Sequence, residues 1–300
     1  MTFKKTLVAA SLAALSMAAV AQTNDAGKDE KELASTSDFA ATANVMLASS
    51  YRFRGIDQTF NQPAIQGGFD ITMPYGFYVG NWNSNVNGNA AGMPQGNIEV
   101  DLYGGWKFAV NEDIGTDIGV MQYLYPGSKW GGGLEQPTTS TFGVKQGMVN
   151  NTEIYLGGNW KTVSLKQSFA VTDYFNAKGI NASSTAGSGY TDLTATYDLG
   201  GFDNALAGWG VVGHAGYFYM KNYSAANYAD WKLGITKDIG SGWLATVSYI
   251  QAATSGNCSN TSSPQPYCFA KNGWNADGTA NGSTQNAGHA TAVVTIGRTF

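Results

Sequence analysis

Charge is scarce in this chain. Lys, Arg, Asp and Glu make up 13% of its 300 residues, against about 25% in an ordinary soluble domain. The formal net charge is -4, which argues against nucleic acid or anionic headgroups as electrostatic partners. Histidine and cysteine number two each, so no His/Cys cluster of metal-ligand spacing can be assembled, and nothing calls for a cofactor. Long apolar runs are missing beyond Gln22, so nothing past that point offers a helical route across a bilayer, which takes about 20 apolar residues. No G-x-S-x-G context, phosphate loop or paired-carboxylate motif stands out. What is abundant is glycine, 39 residues, together with 16 Tyr, 14 Phe and 8 Trp. Low charge with many glycines and aromatics suits a protein of strands and turns.

The opening, MTFKKTLVAASLAALSMAAVAQ, has the three parts of a secretory signal peptide. Lys4 and Lys5 are the basic start, Leu7 to Val20 is the apolar stretch, and Ala19-Val20-Ala21 is the small-residue site before Gln22. Residues 1–21 are therefore read as the signal, with cleavage near Ala21/Gln22. The apolar stretch is short for a membrane anchor. Residues 22–38 are polar and charged and read as a flexible periplasmic lead-in.

From residue 39 onward one pattern repeats. In NIEVDLYGGWKF, residues 97–108, Ile98, Val100, Leu102, Trp106 and Phe108 share one face of an extended strand, and Glu99, Asp101, Tyr103 and Lys107 share the other. Some twelve stretches of about ten residues behave this way, the length a tilted strand needs to cross a bilayer. Their connections alternate between tight turns (Pro74-Tyr75, Asn111 to Asp113, Lys161-Thr162, Gly240 to Gly242) and long loops (about 55–62, 87–96, 126–149, 176–188, 253–286). The Gly200-Gly201 link is a little loose. Alternating short turns and long outside loops is the habit of outer-membrane barrels, whereas a β-sandwich would not require it. Residues 39–300 are thus read as one transmembrane antiparallel β-barrel of about 12 strands, with the apolar face toward lipid. The bulky aromatics near strand ends, Trp82, Trp106, Trp160, Trp209, Trp231 and Trp243, read as lipid-interface girdles. Twelve strands give a backbone radius of about 12 Å. Inward glycines such as Gly68 and Gly105 would keep the lumen open.

The chain ends in Phe300 on an alternating strand. This resembles the terminal signature that the barrel-insertion machinery recognises, with Arg298 on the same face as a departure. In order, YRFRGIDQT, PAIQGGFD, GFYVGNWNSNV, IEVDLYGGW and YLYPG resemble the TorF porin family, whose proteobacterial members are also grouped as the conserved hypothetical Gcw_chp family. The resemblance is sharpest over about residues 39–127 and looser to the end. It implies an outer-membrane barrel with pore activity and supplies no substrate or functional residues.

Candidate functional residues come from the lumen-facing set. Arg52 and Arg54 fall at the outer end of the first strand. The lumen inventory sets Asp70, Glu99, Asp101, Glu153, Asp192, Asp198 and Asp230 against Arg52, Arg54, Lys107, Lys166 and Lys232. Opposed charges across a lumen either create a transverse field that selects ions or simply pair and stay structural. Carboxylates outnumber cations modestly, so a weak cation preference is expected. The 126–149 insert either folds inward as a constriction or stays outside. Cys258 and Cys268, close together in a polar stretch of an exported chain, read as a disulfide. The expected function is passive diffusion of ions and small polar solutes through a barrel seated in outer-membrane lipid. A plugged barrel acting through its outer loops, as an adhesin or receptor, is the alternative. A hydrolase using His214 or His289 is a remoter one, since neither lies in a recognisable nucleophile context.

Overall fold

The computed structural model describes residues 39–88, 96–128, 143–144, 147–255, 258, 266–273, 275 and 279–300. The signal segment, the lead-in to residue 38 and most of the 126–149 insert lie outside the described residues. Twelve strands form a closed barrel: β1 (Ala40–Ala48), β2 (Ala64–Thr72), β3 (Phe77–Asn85), β4 (Ile98–Ala109), β5 (Ile114–Leu124), β6 (Asn150–Trp160), β7 (Val163–Ala170), β8 (Gly189–Asp198), β9 (Trp209–Tyr219), β10 (Tyr228–Gly240), β11 (Trp243–Ala253) and β12 (Thr291–Thr299). Each pairs antiparallel with its sequence neighbours, and β1 closes on β12 with Val45 opposite Arg298 and Leu47 opposite Ile296. Closure leaves no sheet edge without a partner.

Alternation decides which solvent each side chain meets. Leu47, Ile65, Leu102, Ile154, Leu156 and Leu233 stand exposed on the outside. Gln66, Glu99, Asp117, Lys166, Asp192 and Asp230 are buried on the inside. An apolar exterior with a charged interior inverts a soluble core and suits a barrel bathed in lipid. At the turn end, Arg298 lies over the rings of Phe300 and Trp243, 4.6 and 5.8 Å from their centroids, and donates to the Ser241 carbonyl. Its charge thereby stays at the interface.

Three expectations are corrected. β1 ends at Ala48, so Arg52 and Arg54 are not on the wall; residues 50–59 turn inward instead. Trp82 faces the lumen, 4% exposed, and packs on Tyr51 with ring centroids 5.5 Å apart. The other five tryptophans named above remain exposed or half-exposed outside. The Gly200 link is a longer excursion containing two short 3-10 turns, Leu199–Gly201 and Asn204–Leu206.

Candidate functional site

The site is the lumen and the segment that fills its outer half. After Ala48 the chain bends inward, and Arg52–Phe53 pair with Ile56–Asp57 as a small hairpin. The hairpin needs left-handed backbone at Arg54 (φ 51) and Gly55 (φ 79). A Cβ on Gly55 would lie 2.7 Å from the Asp230 Cβ, so only glycine fits against β10 there. Asp57 accepts from the backbone N–H groups of Thr59 and Asn61 and fixes the return turn.

This first loop is tied to walls all around the barrel. The Tyr51 hydroxyl donates to Glu99 on β4 at 2.9 Å. Arg54 donates to both carboxylate oxygens of Glu153 on β6, at 3.0 and 2.6 Å, and its guanidinium lies 4.5 Å from the Tyr190 ring centroid on β8. Burial works against the Arg54 charge, and Glu153 more than restores it. Arg52 donates to the carbonyls of Ala287 and His289 and to Asn61, with Asp57 3.7 Å away. The fourth loop, 171–188, also dips in: Phe175 packs edge-on to Phe53 and against Tyr123 and Tyr125. Two aromatic clusters inside the outer half result, one around Tyr51, Phe53 and Tyr123 and one around Tyr190, Phe218 and Tyr228.

Inward glycines do not widen the lumen as expected. Tyr78 lies over Gly105, Tyr103 over Gly80 and Tyr155 over Gly119, each the direct cross-strand partner. A Cβ at any of the three would come within 2.7 Å of the ring or its hydroxyl. Glycine gives the ring a bed, and the hydroxyl finds a carboxylate: Tyr78 donates to Asp117 at 2.6 Å and Tyr103 to Asp70 at 2.7 Å. The lumen wall from β3 to β6 is thereby covered with tyrosine.

The other half keeps a cavity of about 120 Å³ beneath the first loop. Its lining includes the cross-strand neighbours Lys166 and Asp192, Thr194 and His214, and His214 and Lys232, and continues to Ser248 and Thr295 on the next two strands. Arg52 and Arg54 form its roof. His214 places Nδ1 3.3 Å from Asp192 and Nε2 3.0 Å from Asp230.

The proposed lumen charges therefore separate into groups. Glu99, Asp101 and Glu153 are buried behind the loop and lie outside the cavity lining. Asp70 is held by Tyr103. Arg52, Arg54, Asp192, Asp230 and Lys232 face the cavity, joined by Lys166. Asp198 sits exposed at the turn end of β8. Neither histidine forms a nucleophile–base pair of the hydrolase kind. Thr194 lies 3.2 Å from His214 but donates to Asp192, and both ring nitrogens face carboxylates. His289 contacts Arg52, Asn61 and the Asn286 carbonyl and anchors the first loop; the Thr291 hydroxyl lies 3.4 Å from the same Nε2 that Arg52 and Asn61 occupy. Cys258 and Cys268 are disulfide-bonded, Cα atoms 5.4 Å apart. Among the described residues no His/Cys/Asp/Glu group could hold a metal ion.

A closed antiparallel barrel, apolar outside and charged within, is a bacterial outer-membrane β-barrel. The chain belongs to the bacterial Gcw_chp family of unknown function, whose model matches residues 32–300. No curated protein matches the sequence. Among solved structures it is similar to the KdgM porin, with 8% identity, 87% of this chain and 99% of that chain covered, and a TM-score of 0.44. OprD from Pseudomonas aeruginosa matches at 7% identity over 80% of this chain and 59% of that chain, TM-score 0.35. Likeness at this level assigns no solute.

Proposed function

We propose that the protein is an outer-membrane channel for ions and small polar solutes whose outer half is closed by its own first loop. The supporting observation is the arrangement in the lumen. A polar, charged cavity lies under a hairpin that reaches the far wall through one ion pair, Arg54 to Glu153, and is otherwise tied by hydrogen bonds such as Tyr51 to Glu99 and Arg52 to Ala287. The barrel itself rests on a closed backbone ladder, so the hairpin can leave without unfolding it. The cation preference expected from the wall inventory loses its basis, because Glu99 and Glu153 face Tyr51 and Arg54 rather than open water, and Asp101 is buried. Export through the 1–21 signal, and insertion guided by Phe300, belong to the same reading.

A second reading follows from the same filled lumen: a plugged barrel whose outer loops bind a partner. Purified mature protein in a planar bilayer separates the two. The channel reading expects small or infrequent conductance steps in potassium chloride, which enlarge when Arg54→Ala frees the hairpin. Silence from both proteins, each correctly folded, would leave the plugged barrel.

A further inference from the structure

We infer that the cavity beneath the first loop is a binding site for small polyhydroxy carboxylates. This names the solute class for the channel reading and rests on it only for the route by which solute arrives.

Three observations carry the inference. The first is the distribution of partners among the cavity charges. Arg54 has Glu153, Arg52 has Asp57, and Asp192 with Asp230 brackets His214. Lys166 and Lys232 also line the cavity, and neither has a carboxylate within ion-pair distance among the described residues. Lys166 places its ammonium 3.9 Å from the Tyr155 ring centroid instead. The two carboxylates that line the cavity, Asp192 and Asp230, are thus engaged by His214, and the lining cations left without a carboxylate are two lysines.

The second is a set of buried polar atoms with no partner. Arg52 Nε, Ser50 Oγ, Ser248 Oγ and Thr295 Oγ1 are all unpaired, and all four residues line the cavity. Arg52 is more than nine-tenths buried. A buried donor without an acceptor is costly, so these groups ask for a solute or ordered water.

The third is spacing. Lys166 on β7 and Lys232 on β10 are three strands apart, about 14 Å along the wall, with hydroxyls continuing the lining on β11 and β12. Compact oxyanions such as phosphate are usually held by converging arginine forks or backbone N–H nests. Lysines rooted on strands three apart, with a row of hydroxyls beyond them, suit an extended acceptor: a carboxylate on a chain of hydroxyl-bearing carbons.

The test titrates the purified protein in detergent with gluconate and with its neutral counterpart sorbitol, by calorimetry. Gluconate should bind and sorbitol should bind at least about tenfold more weakly, the value of one charge-assisted contact. Lys166→Gln with Lys232→Gln should weaken gluconate by about tenfold or more and leave sorbitol unchanged. Lys166→Arg with Lys232→Arg should retain gluconate, which separates charge from folding. Equal binding of gluconate and sorbitol, or unaltered gluconate binding in the Gln variant, would overturn the site. Potassium chloride conductance is read in parallel. Conductance without gluconate binding ends this inference and spares the channel; gluconate binding without conductance does the reverse.

Discussion

Arg54 crosses the barrel from the first outer loop and grips both oxygens of Glu153, at 3.0 and 2.6 Å, with both side chains nearly sealed from solvent. Removing one partner of a buried pair strands the other charge and costs about 3–5 kcal/mol. Here that cost falls on the docked loop, since the strands around it keep their ladders. Arg54→Ala and Glu153→Gln should each enlarge single-channel conductance while the barrel stays heat-modifiable on a gel. The double variant Arg54→Met, Glu153→Gln should fall between wild type and the single variants, because neither charge is then left alone. Unchanged conductance in both single variants would show that the loop does not limit the path.

The barrel was legible in the sequence because two solvents enforce it. A strand between lipid and water must alternate, and a one-residue slip would expose every wrong side chain. The inward loop was not legible, because the alternation of β1 continues past its end: Tyr51 and Phe53 keep the parity of Leu47, and Arg52 and Arg54 keep that of Met46. Only the bend after Ala48 sends all four inside. Tyrosine hid the lumen filling as well, since an amphipathic ring suits a lipid interface and a carboxylate-lined interior alike. Trp82 did carry a signal. It shares parity with Tyr78, Gly80 and Ser84, opposite Phe77 and Val79, and parity rather than residue type places it inside. The charge pairings depend on which loop reaches which wall, and that is a property of the closed structure.

The fourth loop has its own pH dependence. Asp173 accepts from Lys178, from the Ser184 hydroxyl and from the Thr185 N–H. Burial works against its charged form, but these bonds outweigh it and hold the carboxyl below its usual range. A depressed carboxylate stabilises the docked loop above its free value, near about pH 4. That contribution fades as pH falls through the lower, docked value. Protease sensitivity within 171–188 should therefore be flat near neutrality and rise below about pH 4. Asp173→Asn should raise cleavage at pH 7 and abolish the acid step. A step that survives in Asp173→Asn would place its origin in another group.

Cys258 and Cys268 join a polar outer loop and stand apart from the barrel ladders. Cys268 opens a short ladder, Cys268–Ala270 against Thr284–Asn286. Thiol reagents should label neither cysteine on unreduced cells and both after reduction. Reduction should expose the last loop to protease without altering the unboiled gel mobility, because the bond and the barrel closure share no strand. Loss of the folded band on reduction would show that the loop supports the barrel.

The choice of solvent for the outer face can be tested at one residue. Leu156 lies near the middle of β6, points outward with 56% of its surface exposed, and pairs across the strands with Ile118 and Gln167. On a soluble protein an exposed leucine can become arginine within about ±0.5 kcal/mol. At the midplane of a bilayer the same change costs about 2–4 kcal/mol, because the charge must be carried into hydrocarbon. Leu156→Arg should therefore destabilise the barrel by that larger amount in lipid vesicles, read from urea unfolding by tryptophan fluorescence. Leu156→Ala in the same vesicles should cost less, since it removes apolar contact without adding charge. The cost of arginine should shrink toward the turn end, so Trp160→Arg, four residues along the same strand, should be milder. Equal, near-zero costs for arginine at 156 and 160 would mean that this face meets water, and the outer-membrane assignment would fall with it.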